Sequence, residues 1–171
     1  YYEEQELITK ESKDSIIYMF TLGKSIGVSG ALICGKKEVI EYCIQKSKSY
    51  IYTTASAPYI ASGVISSMNL IRKDTKRREK LKSLIELFRS KIINKSALTP
   101  SMTPIQPIII NNLKKAISVS SQLRALGFLV PVIRPPTVPA GTSRLRISIS
   151  ALHSKKDIII LTSVINRLLS E

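Results

Sequence analysis

A lysine between glycines, directly after a short apolar run, is the feature that most constrains this chain. Residues 15–20 read Ser-Ile-Ile-Tyr-Met-Phe, and residues 21–30 read Thr-Leu-Gly-Lys-Ser-Ile-Gly-Val-Ser-Gly. The apolar run is rich in β-branched and aromatic residues, which predicts a buried strand. Glycines allow a tight turn and the close approach of a ligand. Lys24 therefore follows a strand end as an amine suited to forming a Schiff base; the alternative is a solvated surface charge.

A second stretch, at residues 134–146, is long and chemically specific. It reads Arg-Pro-Pro-Thr-Val-Pro-Ala-Gly-Thr-Ser-Arg-Leu-Arg. The planar fork of arginine binds both oxygens of a carboxylate, so Arg134, Arg144 and Arg146 are candidates for holding a substrate carboxylate. On a strand, Arg144 and Arg146 share a face because successive side chains alternate. The prolines stiffen the loop between Arg134 and Arg144.

Together, and in this order, the two stretches resemble the α-oxoamine synthases, pyridoxal phosphate enzymes that condense an amino acid with an acyl thioester. The resemblance runs from about Tyr18 to the C-terminus. The second stretch is most similar to the members that condense L-alanine with pimeloyl-CoA, or with pimeloyl-carrier protein, in biotin biosynthesis. Members that use glycine or serine share Lys24 and the arginines and are the near alternative. A non-catalytic subunit that keeps this half of the fold is the alternative from another class.

The resemblance implies which residues bind the cofactor. Lys24 matches the catalytic lysine, which holds pyridoxal phosphate as a Schiff base and then removes the α-proton of the amino acid. Thr21, three residues earlier, matches a threonine that bonds the cofactor's phosphate. Thr53 and Thr54 match a loop that reaches the phosphate in the neighbouring subunit, and Thr54 is the closer match. The structural alternative for this loop is a capping hydroxyl before Pro58.

The resemblance also assigns the substrate side. Arg146 matches the arginine that clamps the substrate carboxylate, and Arg134 is expected near the same site. Thr137 is expected to reach the substrate from the proline-rich loop, whereas Arg144 is expected to be structural. His153, the single histidine, is expected to have a surface or capping role. One histidine and scattered carboxylates predict no metal site.

Hydrophobic periodicity predicts an α/β chain. The resemblance implies that this chain is the C-terminal half of a fold type I pyridoxal phosphate transferase. Residues 1–98 are expected to end the large mixed-sheet domain and residues 99–171 to form a small α+β domain. Strands are predicted at residues 15–22, 28–34, 105–110, 128–133 and 144–150. Helices are predicted at residues 36–47, 58–73, 74–92, 112–126 and from Ser154 onward, with an extended loop at residues 50–57. Met68 and Phe88 are predicted to be core residues.

The net charge of +14 first suggests nucleic-acid binding. The basic residues are scattered along predicted helices and the chain has no tryptophan, so we expect no nucleic-acid partner; a basic surface would instead favour the phosphates of coenzyme A. No apolar run approaches the 18 residues of a membrane span, so we expect no membrane partner. Cys34 and Cys43 form no disulfide framework and are predicted to be small buried side chains, which fits a cytoplasmic protein.

The resemblance does not extend to the segments that family members carry upstream of the lysine. Family members carry, upstream of the lysine, an aspartate for the pyridine nitrogen and a histidine stacked near the ring, and no Asp-x-x-His occurs here. We therefore expect this chain to be the C-terminal half of the enzyme. The resemblance implies that the whole enzyme is a homodimer. Without the aspartate the electron sink is weak, so these 171 residues alone are expected to be inactive.

Overall fold

The structure, a computed structural model, describes residues 16–170. The chain divides into two compact units, of which the first ends at Lys73 and the second begins at Asp74. The sequence places the boundary later, between residues 98 and 99. Each unit is described by itself below.

The first unit contains a two-stranded antiparallel sheet and three helices. Strands β1 (Tyr18–Thr21) and β2 (Ala31–Cys34) pair with Tyr18 opposite Cys34. Both strands are shorter than predicted, and Ser15, where the first was expected to begin, lies outside the described residues. The helices are α1 (Lys37–Lys46), α2 (Lys48–Ile51) and α3 (Pro58–Lys73).

Helix α2 corrects the extended loop that was expected from Tyr50. The amides of Tyr50 and Ile51 both donate to the carbonyl of Ser47, at 2.9 and 3.0 Å, which closes one helical turn. The extended segment therefore begins only after this turn. Helix α3 begins at Pro58, as predicted, because proline suits the first helical turn.

Apolar side chains of the first unit are largely exposed. Among its described residues the buried apolar side chains are Leu22 and Val64. The predictions of a buried first strand and of a core role for Met68 are wrong here: Phe20 is 52% exposed and Met68 is 46% exposed. Cys34 is exposed as well. A two-stranded sheet buries its side chains only when other layers cover it, and the described part of this unit supplies no such layer.

The second unit has a three-stranded antiparallel sheet with the strand order β3-β5-β4. Its strands are β3 (Ile105–Ile109), β4 (Val132–Ile133) and β5 (Arg144–Ser148). Its helices are α4 (Thr75–Lys91), α5 (Leu113–Ala125) and α6 (Lys155–Ser170), with a 3-10 turn at Lys95–Ala97. The predicted order of strands and helices is confirmed. Pro107 lies on an edge strand, where a proline is tolerated.

Strand β4 is shorter than the predicted strand at residues 128–133. The Phe128 amide donates to the Leu123 carbonyl at 2.9 Å, so the chain is still completing the end of helix α5 at that point. Pro131 then lacks an amide hydrogen for the ladder. Only Val132 and Ile133 remain to pair with β5.

The core of the second unit lies between one face of this sheet and helices α4, α5 and α6. Each helix contributes an apolar stripe at helical spacing, as predicted. The buried members include Phe88 and Ile92, Val119 and Leu123, Ile158 and Ile165, and the strand residues Ile108, Leu145 and Ile147. Phe88 is fully buried, which confirms its predicted core role.

Helix α4 belongs to this unit partly because of one buried polar network. The Arg89 guanidinium donates to the carbonyls of Thr99 and Ser101, at 3.0 and 3.2 Å, and to Oε1 of Gln106 at 2.8 Å. Gln106 is fully buried and donates in turn to Ser101 and Thr103. Residues on both sides of position 98 therefore share one network within the second unit.

Two predicted helix starts are confirmed by their capping contacts. Asp74 accepts from the Arg77 amide at 3.0 Å and begins α4. At the start of α6, Asp157 Oδ2 accepts from the amide and hydroxyl of Ser154, at 2.7 and 2.9 Å. These two hydrogen bonds favour the ionised carboxylate and lower the pKa of Asp157 below its ordinary value of 3.8.

We expect the Asp157 carboxyl to titrate below 3.8 and its midpoint to rise when Ser154 is replaced by alanine. Because the folded-state pKa is lowered, this cap stabilises the fold fully above the ordinary pKa. The stabilisation is lost as the pH falls through the lowered value. Carbon-detected NMR titration of the side chain measures the midpoint. Ser163→Ala, on an exposed position of the same helix, is the control, and a midpoint at or above 3.8 in the unsubstituted protein would contradict the assignment.

Candidate active site

The residues after β1 fold into a closed loop with Lys24 in its turn. The Leu22 amide donates to Gly30 O at 2.9 Å, and the Val28 amide donates to Leu22 O at 3.0 Å. Inside this frame, the Gly27 amide donates to Lys24 O at 3.1 Å. Gly27 and Gly30 have positive φ, which glycine adopts without strain. Buried Leu22 anchors the loop, so the backbone of Lys24 has a defined place.

The side chains that the sequence assigned to the cofactor are exposed and unpaired. Within residues 16–170, no hydrogen bond or ion pair engages the Lys24 amine or the Thr21 hydroxyl. Thr21 ends β1, three residues before Lys24. A free amine and a free hydroxyl therefore lie at one end of the same strand.

Thr53 and Thr54 differ in whether the hydroxyl group has a hydrogen-bond partner. Thr53 Oγ1 donates to Ser49 O at 2.6 Å, which closes helix α2. The Thr54 hydroxyl has no partner in the described part of the chain. Of the two, Thr54 is the one available to a ligand.

The arginines of strand β5 differ in their surroundings. Arg146 is exposed and alternates with buried Leu145 and Ile147, so it lies on the sheet face opposite the helices. Arg144 is half-buried, and its guanidinium donates to the carbonyl and hydroxyl of Thr142, at 3.0 and 3.1 Å. Arg144 thus has the structural role that was expected of it, whereas Arg146 is free to bind a ligand.

Arg134 and Thr137 share one turn at the end of β4. The Thr137 amide donates to Arg134 O at 3.0 Å. Arg134 lines an open groove of about 380 Å³ together with residues of helix α5 and with Val132. Val132 pairs with buried Leu145, so this groove is on the helix side of the sheet. The structure thus joins Arg134 to Thr137 but does not bring this groove to the face that carries Arg146.

The described aspartates and the histidine limit which cofactor or metal the described residues could bind. Asp74 and Asp157, the aspartates within residues 16–170, both cap helices. His153 Nδ1 accepts from the Ser150 amide at 3.1 Å, the capping role that was expected. No group of three His, Cys, Asp or Glu in the described chain forms a metal site. The residues present fit the aldehyde and phosphate of pyridoxal phosphate, but neither described aspartate is left for its ring nitrogen.

Sequence reasoning missed a contact between helix α3 and the loop at residues 22–30. The Ser67 hydroxyl donates to Ile26 O at 2.7 Å. The available signal is weak: Gly63 and Ser67 are small residues four apart on an otherwise apolar stripe. Across residues 16–170, none of the helices has the length and apolar character needed to cross a membrane.

Known proteins are similar to this chain over most of its length. The family model for aminotransferase class I and II matches residues 2–165. The 8-amino-7-oxononanoate synthase of Aromatoleum aromaticum is 44% identical over 154 residues, which cover 90% of this chain and 40% of that enzyme. This chain thus spans about 40% of the length of such curated relatives.

Solved structures show the same likeness. The crystal structure of 8-amino-7-oxononanoate synthase from Francisella tularensis is 27% identical with a TM-score of 0.76, covering 91% of this chain and 46% of that one. Serine palmitoyltransferase from S. paucimobilis, with bound PLP–myriocin, is 23% identical with a TM-score of 0.76. The match covers 89% of this chain and 39% of the serine palmitoyltransferase chain. At this identity it supports the fold alone.

Proposed function

Since this chain belongs to the aminotransferase class I and II family, we propose that it forms part of a pyridoxal phosphate-dependent α-oxoamine synthase, specifically an 8-amino-7-oxononanoate synthase of biotin biosynthesis. Support comes from the 44% identity to an enzyme of that name and from the stretch at residues 134–146. The observation that carries the proposal is Lys24, an unpaired amine in the turn of a hydrogen-bonded loop directly after β1.

We propose that three residues of the first unit bind the cofactor. Pyridoxal phosphate, when bound, supplies an electron sink for charge that develops at the α-carbon of the amino acid. Lys24 Nζ would hold the cofactor covalently and, once freed by the incoming amino acid, accept the α-proton. The hydroxyls of Thr21 and Thr54 would donate hydrogen bonds to phosphate oxygens, with Thr54 acting across the interface of a homodimer.

We propose that three residues of the second unit bind the substrate. The Arg146 guanidinium would bind the carboxylate of the amino acid through two parallel hydrogen bonds. No carboxylate in the described residues pairs with it, so it is not already neutralised. We assign Arg134 and Thr137 to substrate binding through the motif that they share with Arg146.

The proposed reaction joins the α-carbon of L-alanine to the acyl carbon of a pimeloyl thioester. The thiol of coenzyme A, or of the carrier protein, leaves, and the original carboxylate departs as carbon dioxide. The proton that Lys24 removes from the α-carbon makes this carbon the nucleophile. We place the enzyme in the cytoplasm, where an exposed thiol such as Cys34 stays reduced.

We propose that the active enzyme includes polypeptide beyond these 171 residues. The first unit exposes apolar side chains on both faces of its sheet, and neither described aspartate is free for the cofactor ring. Large exposed apolar surfaces mark sites where other protein packs. We therefore expect these 171 residues alone to be inactive.

The test is a product analysis with the full-length gene product. With pimeloyl-CoA, we expect kcat/KM for L-alanine to exceed that for glycine or L-serine by at least about tenfold, because one methyl group or hydroxyl changes recognition by roughly 10 to 200-fold. Mass spectrometry identifies each product. A preference for glycine or serine would assign the chain to another branch of the family, and the absence of product with all three would contradict the proposal.

A further inference from the structure

One face of helix α3 touches the Lys24 loop at two points. The Ser67 hydroxyl donates to Ile26 O at 2.7 Å. One helical turn earlier, Gly63 leaves room for Val28, since a Cβ built at Gly63 would lie only 3.0 Å from Val28 Cγ1. Residues four apart lie on the same face of a helix. The loop therefore rests on α3 through one hydrogen bond and one close apolar contact.

The hydrogen bond of Ser67 is unusual for a serine inside a helix. Such a serine commonly faces solvent or bonds a carbonyl of its own preceding turn. Ser67 instead bonds a carbonyl 41 residues away in sequence, and it is half-buried whereas neighbouring Ser66 is exposed. The Ile26 carbonyl belongs to the turn that the Gly27 amide closes on Lys24 O at 3.1 Å. The bond thus fixes a peptide group two residues after Lys24.

We propose that Ser67 is a positioning residue for Lys24, a role that rests on the proposed function of Lys24. The Ser67 hydroxyl fixes the turn at residues 24–27 on helix α3, which gives the Lys24 backbone a single position. A lysine amine ends a flexible four-carbon chain, so the placement of its backbone decides how often the amine meets its target. A displacement of about 1 Å is enough to slow a positioned reaction by up to about 100-fold.

The first test is amide hydrogen exchange in the full-length gene product. Ser67→Ala removes one hydrogen bond, and we expect the amides of Gly27 and Val28 to exchange about fivefold faster. Ser66→Ala is the matched control and is expected to leave the amide exchange rates unchanged. Ser67→Thr keeps the hydroxyl and is expected to restore the exchange rates of the unsubstituted protein. Gly63→Ala probes the second contact and is expected to accelerate the same amides. Equal exchange in Ser67→Ala and the unsubstituted protein would overturn the inference.

The second test separates this role from the proposed function. The rate at which borohydride traps pyridoxal phosphate on Lys24, followed by peptide mapping, is expected to fall about fivefold in Ser67→Ala. Ser67→Thr rescues the rate, and Ser66→Ala does not change it. If Ser67→Ala changes neither the amide exchange rates nor the trapping rate, the positioning role is overturned. Cofactor label on Lys24 in the same experiment would still uphold the proposed function. Absence of label on Lys24 in the unsubstituted protein would contradict the proposed function, and the inference with it.

Discussion

Replacing Lys24 with alanine in the full-length gene product is expected to lower kcat for the condensation of L-alanine with pimeloyl-CoA by at least about 10⁴-fold. A positioned base contributes roughly 10² to 10⁴-fold, and Lys24 also supplies the covalent attachment of the cofactor. Its amine has no partner among the described residues that would be lost with it, so the fold is expected to persist. The release of coenzyme A, followed with a thiol reagent, measures the rate.

Lys46→Ala is the control for the loss of a positive charge. Lys46 is an exposed residue at the end of helix α1 in the same unit. The substitution is expected to leave kcat within about twofold of the unsubstituted value, because exposed surface changes away from a site have small effects. If Lys24→Ala keeps more than about a tenth of the activity, Lys24 is not the catalytic residue.

Replacing Phe88 with alanine is expected to lower the free energy of unfolding of the second unit by about 3 to 5 kcal/mol. Phe88 is fully buried and belongs to the cluster between helices α4 to α6 and the sheet. Removing the ring loses its apolar burial and leaves a cavity that the neighbours fill only in part. Urea denaturation, followed by circular dichroism, measures the change in midpoint.

Leu152→Ala is the matched control for Phe88→Ala. Leu152 is 91% exposed, so its truncation removes little buried surface. It is expected to change the free energy of unfolding by no more than about 0.5 kcal/mol. Equal midpoints for the two variants would contradict the position of Phe88 in the core.

The second unit was the more predictable from sequence, because its elements bury their apolar faces against one another. The helix at residues 112–126 was predicted from hydrophobic periodicity, and its Val119 and Leu123 side chains pack inward. Two helices were predicted to begin at Asp74 and Ser154, and both side chains accept a hydrogen bond from an amide of the first helical turn. Local pattern and tertiary packing agree here, which is the condition under which sequence reasoning succeeds.

The first unit was less predictable for a physical reason. Periodicity shows that a residue such as Phe20 or Met68 suits a buried position, but it does not show which layer covers it. The described residues of this unit do not bury either side chain. The contacts of Arg89 with Thr99 and Gln106 were not predictable for a related reason, because they depend on tertiary packing.

Some residues of the candidate site were predictable from local sequence, and others were not. The motif located Lys24 and Thr21 at the end of β1, since a strand followed by a glycine-rich turn is a local pattern. The surroundings of Arg134 were not predictable, because β4 ends at Ile133 and alternation no longer fixes the face of the next residue. Ser67 carried only a weak signal, because its partner Ile26 is 41 residues away.

The most direct measurement of the central claim is the visible absorbance spectrum of the full-length gene product after addition of pyridoxal phosphate and removal of the excess. We predict that the unsubstituted protein gains the band of lysine-bound cofactor and that Lys24→Ala, at the same concentration, does not. Identical spectra for the two proteins would contradict the claim that Lys24 holds the cofactor.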